Sequence, residues 1–179
     1  MRVGARIRVI CRAARLRRAV LHWGEECAIA RGSAAVRGSA VGGKLMECDL
    51  ERVREFHGHL GPYVVIGWRM GRRAMADLGI PKHFGVSCHV VCADEPPESC
   101  LIDGLQLATG CTMGKRNITH EVGGPIEVRI TAKETGRTVT VRPCQGGVAR
   151  AVALMREQGE EAAVRWLESA GDDEIMTIE

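Results

Sequence analysis

Between Gly85 and Cys92 the chain alternates. Val86, Cys88, Val90 and Cys92 fall on one face of an extended backbone, and Ser87, His89 and Val91 on the other. A period of two marks a strand with one buried face, so this chain has to build a sheet. Further strands are predicted at Ile118–Val122, Ile126–Ala132 and Thr138–Arg142. The last two flank Lys133–Arg137, where Glu134-Thr135-Gly136 favours a hairpin turn. Aromatic residues make up only 3% of the chain, so the core has to come from Val, Ile, Leu, Ala and Met.

Helical segments surround these strands. Asp49 can cap a short helix, Leu50–Phe56, and Pro62 fits the first turn of a second helix running to about Leu78, where Gly79-Ile80-Pro81 stops it. A third is predicted from Ser99 to Thr109, closed by Gly110 in a left-handed conformation. Val148–Gln158 and Glu160–Ser169 are two more, broken near Gly159. The fold class is therefore α+β: a small mixed or antiparallel sheet packed by helices. No Gly-x-Gly-x-x-Gly follows a strand, and Gly110–Lys115 lacks the full phosphate-loop pattern, which argues against dinucleotide and NTP folds.

Charge divides the chain. Residues 1–45 carry ten Arg and Lys against two Glu, a net of +8, whereas residues 46–179 carry fifteen against twenty, a net of −5. Residues 1–45 read as a basic, poorly ordered extension whose Gly32–Gly43 stretch is a connector, with Met46 a plausible start. Residues 46–170 form the domain, and residues 171–179 an acidic tail expected to fray. The body has no basic stripe interleaved with aromatics, so nucleic-acid binding has little support there. No apolar run reaches the length of a transmembrane helix. Without a convincing secretory signal, the eight cysteines are expected to be largely reduced in a cytoplasmic protein.

His57-Gly58-His59 is the most chemically suggestive stretch. Two imidazoles on a glycine-rich turn, just before a helix start, can face a metal ion, or one of them can simply cap or pack. Cys100, Asp103 and Gln106 share one side of the third helix and can point at a cleft floor. Cys111, after Gly110, is expected at the exposed rim, with Lys115 and Arg116 favouring its thiolate. Cys88 and Cys92 read as core thiols and Cys144 as a turn thiol. Asp94, Glu95 and Glu98 form an acidic loop beside the proposed cleft.

Phe56-His57-Gly58-His59-Leu60-Gly61-Pro62, followed by Cys100-x-x-Asp103-x-x-Gln106-x-x-x-Gly110-Cys111-Thr112-x-Gly114-Lys115-x-Asn117, resembles the formylmethanofuran dehydrogenase E-subunit (FmdE) family. The resemblance covers roughly Leu50 to Met155. It departs from the family pattern at Gly61, where many members carry Cys. It implies an α+β core in which the two motifs meet in a cleft, without the C-terminal zinc-finger module that some members carry. It implies a transition metal, zinc first, held by His57, His59, Cys111 and Cys100. Lys115, Asn117, Asp103 and Gln106 would surround an anionic or carbonyl ligand, with His59 and Cys111 in any catalytic role. Further implications are a homodimer and an association with a molybdenum or tungsten oxidoreductase of one-carbon metabolism. Two alternatives stand beside this: a non-catalytic accessory protein acting as an adaptor, or a thiol-dependent enzyme using Cys111.

Overall fold

A computed structural model describes residues 40–179, with side chains described from Asp49 onward. The elements run α1 (Ala40–His57), α2 (Pro62–Leu78), β1 (Val86–Cys92), α3 (Cys100–Thr109), β2 (Ile118–Val122), β3 (Glu127–Ala132), β4 (Thr138–Pro143), α4 (Gln145–Gln158), α5 (Glu160–Ser169), α6 (Asp172–Ile175) and β5 (Met176–Ile178). This is an α+β fold.

The strands form one mixed sheet in the order β2-β1-β3-β4-β5. β1 and β2 are parallel, which a tight turn cannot produce, and α3 supplies the crossover between them. The other pairings are antiparallel, and Gly136, at φ 70°, turns the β3–β4 hairpin. Val86, Val90, Val128, Ile130 and Val141 are fully buried beneath the helices. His89, Thr119, Arg129 and Thr131 lie on the opposite face, where His89 Nδ1 meets Thr119 Oγ1 at 2.9 Å. The alternation in β1 thus reports a sheet covered on one side only.

Helices α2 and α3 cross closely because glycines face the contact. A Cβ at Gly104 would lie 2.1 Å from the Val64 carbonyl oxygen, and one at Gly67 would lie 2.2 Å from that of Leu101. This crossing sets the start of α2 against the start of α3, where the candidate site forms.

Three expectations need correction. α1 begins at Ala40 rather than Leu50, so the end of the expected connector is helical. α4 begins at Gln145, with Cys144 at its N-cap. The segment after Gly171 does not fray: Ile175 and Met176 are buried, and β5 pairs with β4. Its acidic residues find cations, since Asp172 meets Arg69 at 2.7 Å and Arg73 at 3.0 Å, and Glu179 meets Arg142 at 2.9 Å. The basic stretch 1–39 lies outside the described residues. Among those described, no helix is long and apolar enough to cross a membrane.

Candidate functional site

The site begins where α1 ends. Gly58, at φ 91°, takes the chain out of the helix while its N–H still bonds the Arg54 carbonyl at 2.8 Å. Glu160 of α5 pins the turn, accepting the Leu60 N–H at 3.2 Å and pairing with Arg54 at 2.6 Å. Pro62 then starts α2 at the position where a missing N–H costs nothing. Between these anchors the two imidazoles stand with ring centroids 4.9 Å apart.

His57 is held from behind. Its Nδ1 bonds Asp103 Oδ2 at 2.8 Å, and since a carboxylate only accepts, Nδ1 carries the proton. Its Nε2 is buried and has no hydrogen-bond partner. A protonated Nε2 would be a buried donor with nothing to donate to, so the lone-pair form is favoured. His59 is exposed, and its Nε2 lies against Gly61, where a Cβ would approach to 3.0 Å. Any side chain at position 61 would press on that nitrogen. Glycine keeps it open.

Both imidazoles border a cavity of about 230 Å³ that also touches Tyr63, Cys100 and Arg156. On the far side of His57 and Cys100 lies a second cavity of about 360 Å³, reaching Asp103, Gln106, Met113 and His120. Cys100 is half-buried and borders both. Burial, then the Asp103 charge, push its thiol above the ordinary range. His120 Nε2 is 3.4 Å from Cys92 Sγ and 3.1 Å from the Cys92 carbonyl oxygen, which ties β2 to β1.

Asp103 and Gln106 do share one side of α3, but their polar atoms are engaged with protein. Gln106 donates to Asp103 Oδ1 at 3.4 Å and accepts the Met113 N–H at 3.0 Å. A polar chain therefore runs from His57 through Asp103 and Gln106 to the loop after α3.

That loop corrects the reading of Cys111. Gly110 has the expected left-handed conformation, at φ 70°, but the turn sends Cys111 inward, where it is 0% exposed. Its Sγ donates to the Val86 carbonyl at 3.7 Å. Burial pushes the thiol up, against the opposing pull of Thr109, Lys115 and Lys133. Cys111 borders neither cavity described above. Lys115 donates to the Gly110 carbonyl and lies over the Phe84 ring at 5.2 Å. Asn117 accepts the Thr112 N–H at 3.0 Å and donates to the carbonyls of His83 at 2.8 Å and Val86 at 3.2 Å. Both side chains brace the loop.

Among the described residues no three His, Cys, Asp or Glu side chains converge into a ready cage for a metal ion. The arrangement does fit an ion held by two imidazoles with open positions. A ligating histidine usually donates its other N–H to a carboxylate, as His57 does to Asp103. The residues do not fit a closed four-ligand structural site.

Sequence reasoning missed Tyr63, Val152 and Arg156. Tyr63 borders the first motif and could have been suspected from position alone. Val152 and Arg156 come from α4, about a hundred residues away, and no local signal points to them.

Residues 56–177 match the family described as FmdE, molybdenum formylmethanofuran dehydrogenase operon. A probable S-adenosyl-L-methionine-binding protein of Archaeoglobus fulgidus is 36% identical over 93 residues, which are 51% of this chain; the chain spans 25% of that protein's length. The crystal structure of an FmdE-like protein of the tungsten formylmethanofuran dehydrogenase from Syntrophus aciditrophicus is similar at TM-score 0.54 and 26% identity. That similarity covers 74% of this chain and 70% of the other.

Proposed function

The chain belongs to the FmdE family, and on that premise we propose that it is a metal-binding member whose cleft holds a transition ion, zinc first, at His57 and His59. The observation that carries this reading is the buried Nε2 of His57, unpartnered and backed by a carboxylate on the opposite ring nitrogen. Cys100 borders the same cavity and is the nearest soft donor available to complete the set. Bound zinc would supply Lewis acidity, polarising a carbonyl or attracting an anionic group, without redox chemistry.

The protein's own groups have separable tasks in this reading. Asp103 fixes the proton of His57 on Nδ1 and leaves Nε2 free. Gly61 keeps space in front of His59. Arg156 places a positive charge at the cleft. Tyr63, Pro62 and Val152 provide apolar walls that exclude water from part of it. Work beside a molybdenum or tungsten formylmethanofuran dehydrogenase, and pairing into a homodimer, belong to the same reading. The first is supported by the operon in the family's description.

Elemental analysis of the anaerobically purified protein, beside folded His57→Ala, His59→Ala and Cys111→Ala variants, tests the metal. Near one ion per chain is expected, lost in both histidine variants and kept in Cys111→Ala. Failure to take up zinc, iron or cobalt, or retention in both histidine variants, would overturn the proposal. The name of the archaeal relative makes S-adenosyl-L-methionine one ligand to titrate against the same samples.

A further inference from the structure

A larger cavity adjoins the imidazole pocket. It has a volume of about 520 Å³, within the range of small-molecule sites, and shares Tyr63 and Val152 with the 230 Å³ pocket. Ile126, Pro143 and Val148 give it apolar walls.

The two ends differ in charge. At the imidazole end Arg156 is exposed and has no ion-pair partner among the described residues, and no carboxylate borders that pocket. At the other end two charged side chains border the cavity, Arg142 and Glu98. Arg142 is already neutralised twice, by Glu127 at 2.7 Å and by Glu179 at 2.9 Å. Glu98 is half-buried, and its carboxylate has no partner among the described residues. Its charge is felt at Tyr63, whose hydroxyl pKa is raised by burial and then by Glu98. The cleft thus favours an anion at one end and a cation at the other, with an apolar stretch between.

We infer that the two cavities form one elongated site for an ω-amino carboxylate. Its carboxylate would sit by Arg156 and the imidazoles, its chain along Tyr63 and Val152, and its ammonium at Glu98. This deepens the reading of the cleft as a ligand site and rests on it, but it does not depend on a bound ion. Opposite charges at fixed separation reject molecules with only one of the two groups, because the unmatched end stays desolvated and unpaired.

Titration calorimetry of the full chain with 4-aminobutyrate, 6-aminohexanoate and 8-aminooctanoate, beside hexanoate and hexylamine, tests it in zinc-loaded and chelator-treated protein. One of the amino carboxylates should bind about tenfold more tightly than either single-ended probe. Glu98→Gln should erase its advantage over hexanoate, and Arg156→Gln its advantage over hexylamine. Equal affinity for single-ended and double-ended probes, an advantage that survives both substitutions, or no binding in either form of the protein would overturn the inference. Those results are distinct from loss of the metal proposal, which is read from zinc content alone.

Discussion

Substituting Gly104 by Ala asks whether the closeness of α2 and α3 governs this fold. The new methyl would lie 2.1 Å from the Val64 carbonyl oxygen and 2.5 Å from the Trp68 nitrogen, whereas ordinary contact begins at 3.4 Å. Both obstacles are backbone atoms in the middle of a helix, so neither can rotate away. The helices have to part by about 1 Å, a gap that forfeits a quarter to a half of the dispersion energy along the contact. Alanine gains about 1 kcal/mol in helix propensity over glycine. Overpacking of a filled contact costs about 1–3 kcal/mol, and parting the fully buried Leu101, Leu105 and Ile66 adds to it. The net expectation is a loss of about 2–3 kcal/mol, a large share of a typical domain's stability. Gly146→Ala is the control: it lies in the first turn of α4 with nothing within 4 Å of its Cβ, so the same change should be neutral or stabilise by up to about 1 kcal/mol. Urea melts followed by circular dichroism measure both. If Gly104→Ala were as stable as the parent, the close crossing would not hold the fold together.

Other perturbations separate local from global effects. Asp103→Asn removes the carboxylate behind His57 while keeping its shape, and should weaken zinc about 10–100-fold in competition with a chromophoric chelator; unchanged affinity would remove Asp103 from the site. Brief alkylation at neutral pH, read by mass spectrometry, should modify the half-buried Cys144 and leave the buried Cys111 and Cys88 intact; faster labelling of Cys111 than of Cys144 would contradict the inward turn at Gly110. For Asp172, burial alone would raise the pKa, but hydrogen bonds from Arg73 and Arg69 hold it below its ordinary 3.8. A depressed carboxylate contributes its stability above the unfolded value and loses it as pH falls through the folded one. Asp172→Asn should therefore cost about 1 kcal/mol at pH 7, a figure kept small because the side chain is a third exposed. The difference from the parent should close below about pH 4, and a gap that persists there would rule out the ion pair as its cause.

Much of the sheet was legible because its strands are buried on one face only, so burial is written into the sequence with a period of two. The start of α1 was hidden by Gly42 and Gly43, whose low helix propensity is a weak prior that helix continuity overrides. The C-terminal strand was hidden for a different reason. Gly171–Glu179 reads as acidic when taken alone, but its charges are matched by Arg69, Arg73 and Arg142 from distant elements, while Ile175 and Met176 enter the core. Cys111 shows the same limit at the site. A left-handed glycine announces that the chain turns, and Gly110 does turn it, but the direction relative to the core depends on where β1 lies. Arg156 was invisible because only the packing of α4 brings it to the cleft.

The two sequence blocks are joined by contacts that explain why they occur together. His57 lies in the first, and Asp103, Gln106 and the loop 110–117 in the second. His57 is oriented by Asp103, Asp103 is bonded by Gln106, and Gln106 holds the N–H of Met113 in the loop. Asn117 in turn fixes that loop to the start of β1 through three hydrogen bonds, and Lys115 closes it onto the Gly110 carbonyl. The second block therefore need not place Cys111, Lys115 or Asn117 against a ligand to matter at the cleft. Its loop secures the end of α3, α3 positions Asp103, and Asp103 decides which nitrogen of His57 faces the cavity. A substitution at Asn117 would reach the imidazole only by way of that chain, so its effect on the site should track the loss of loop order and vanish where Gln106 has already been removed.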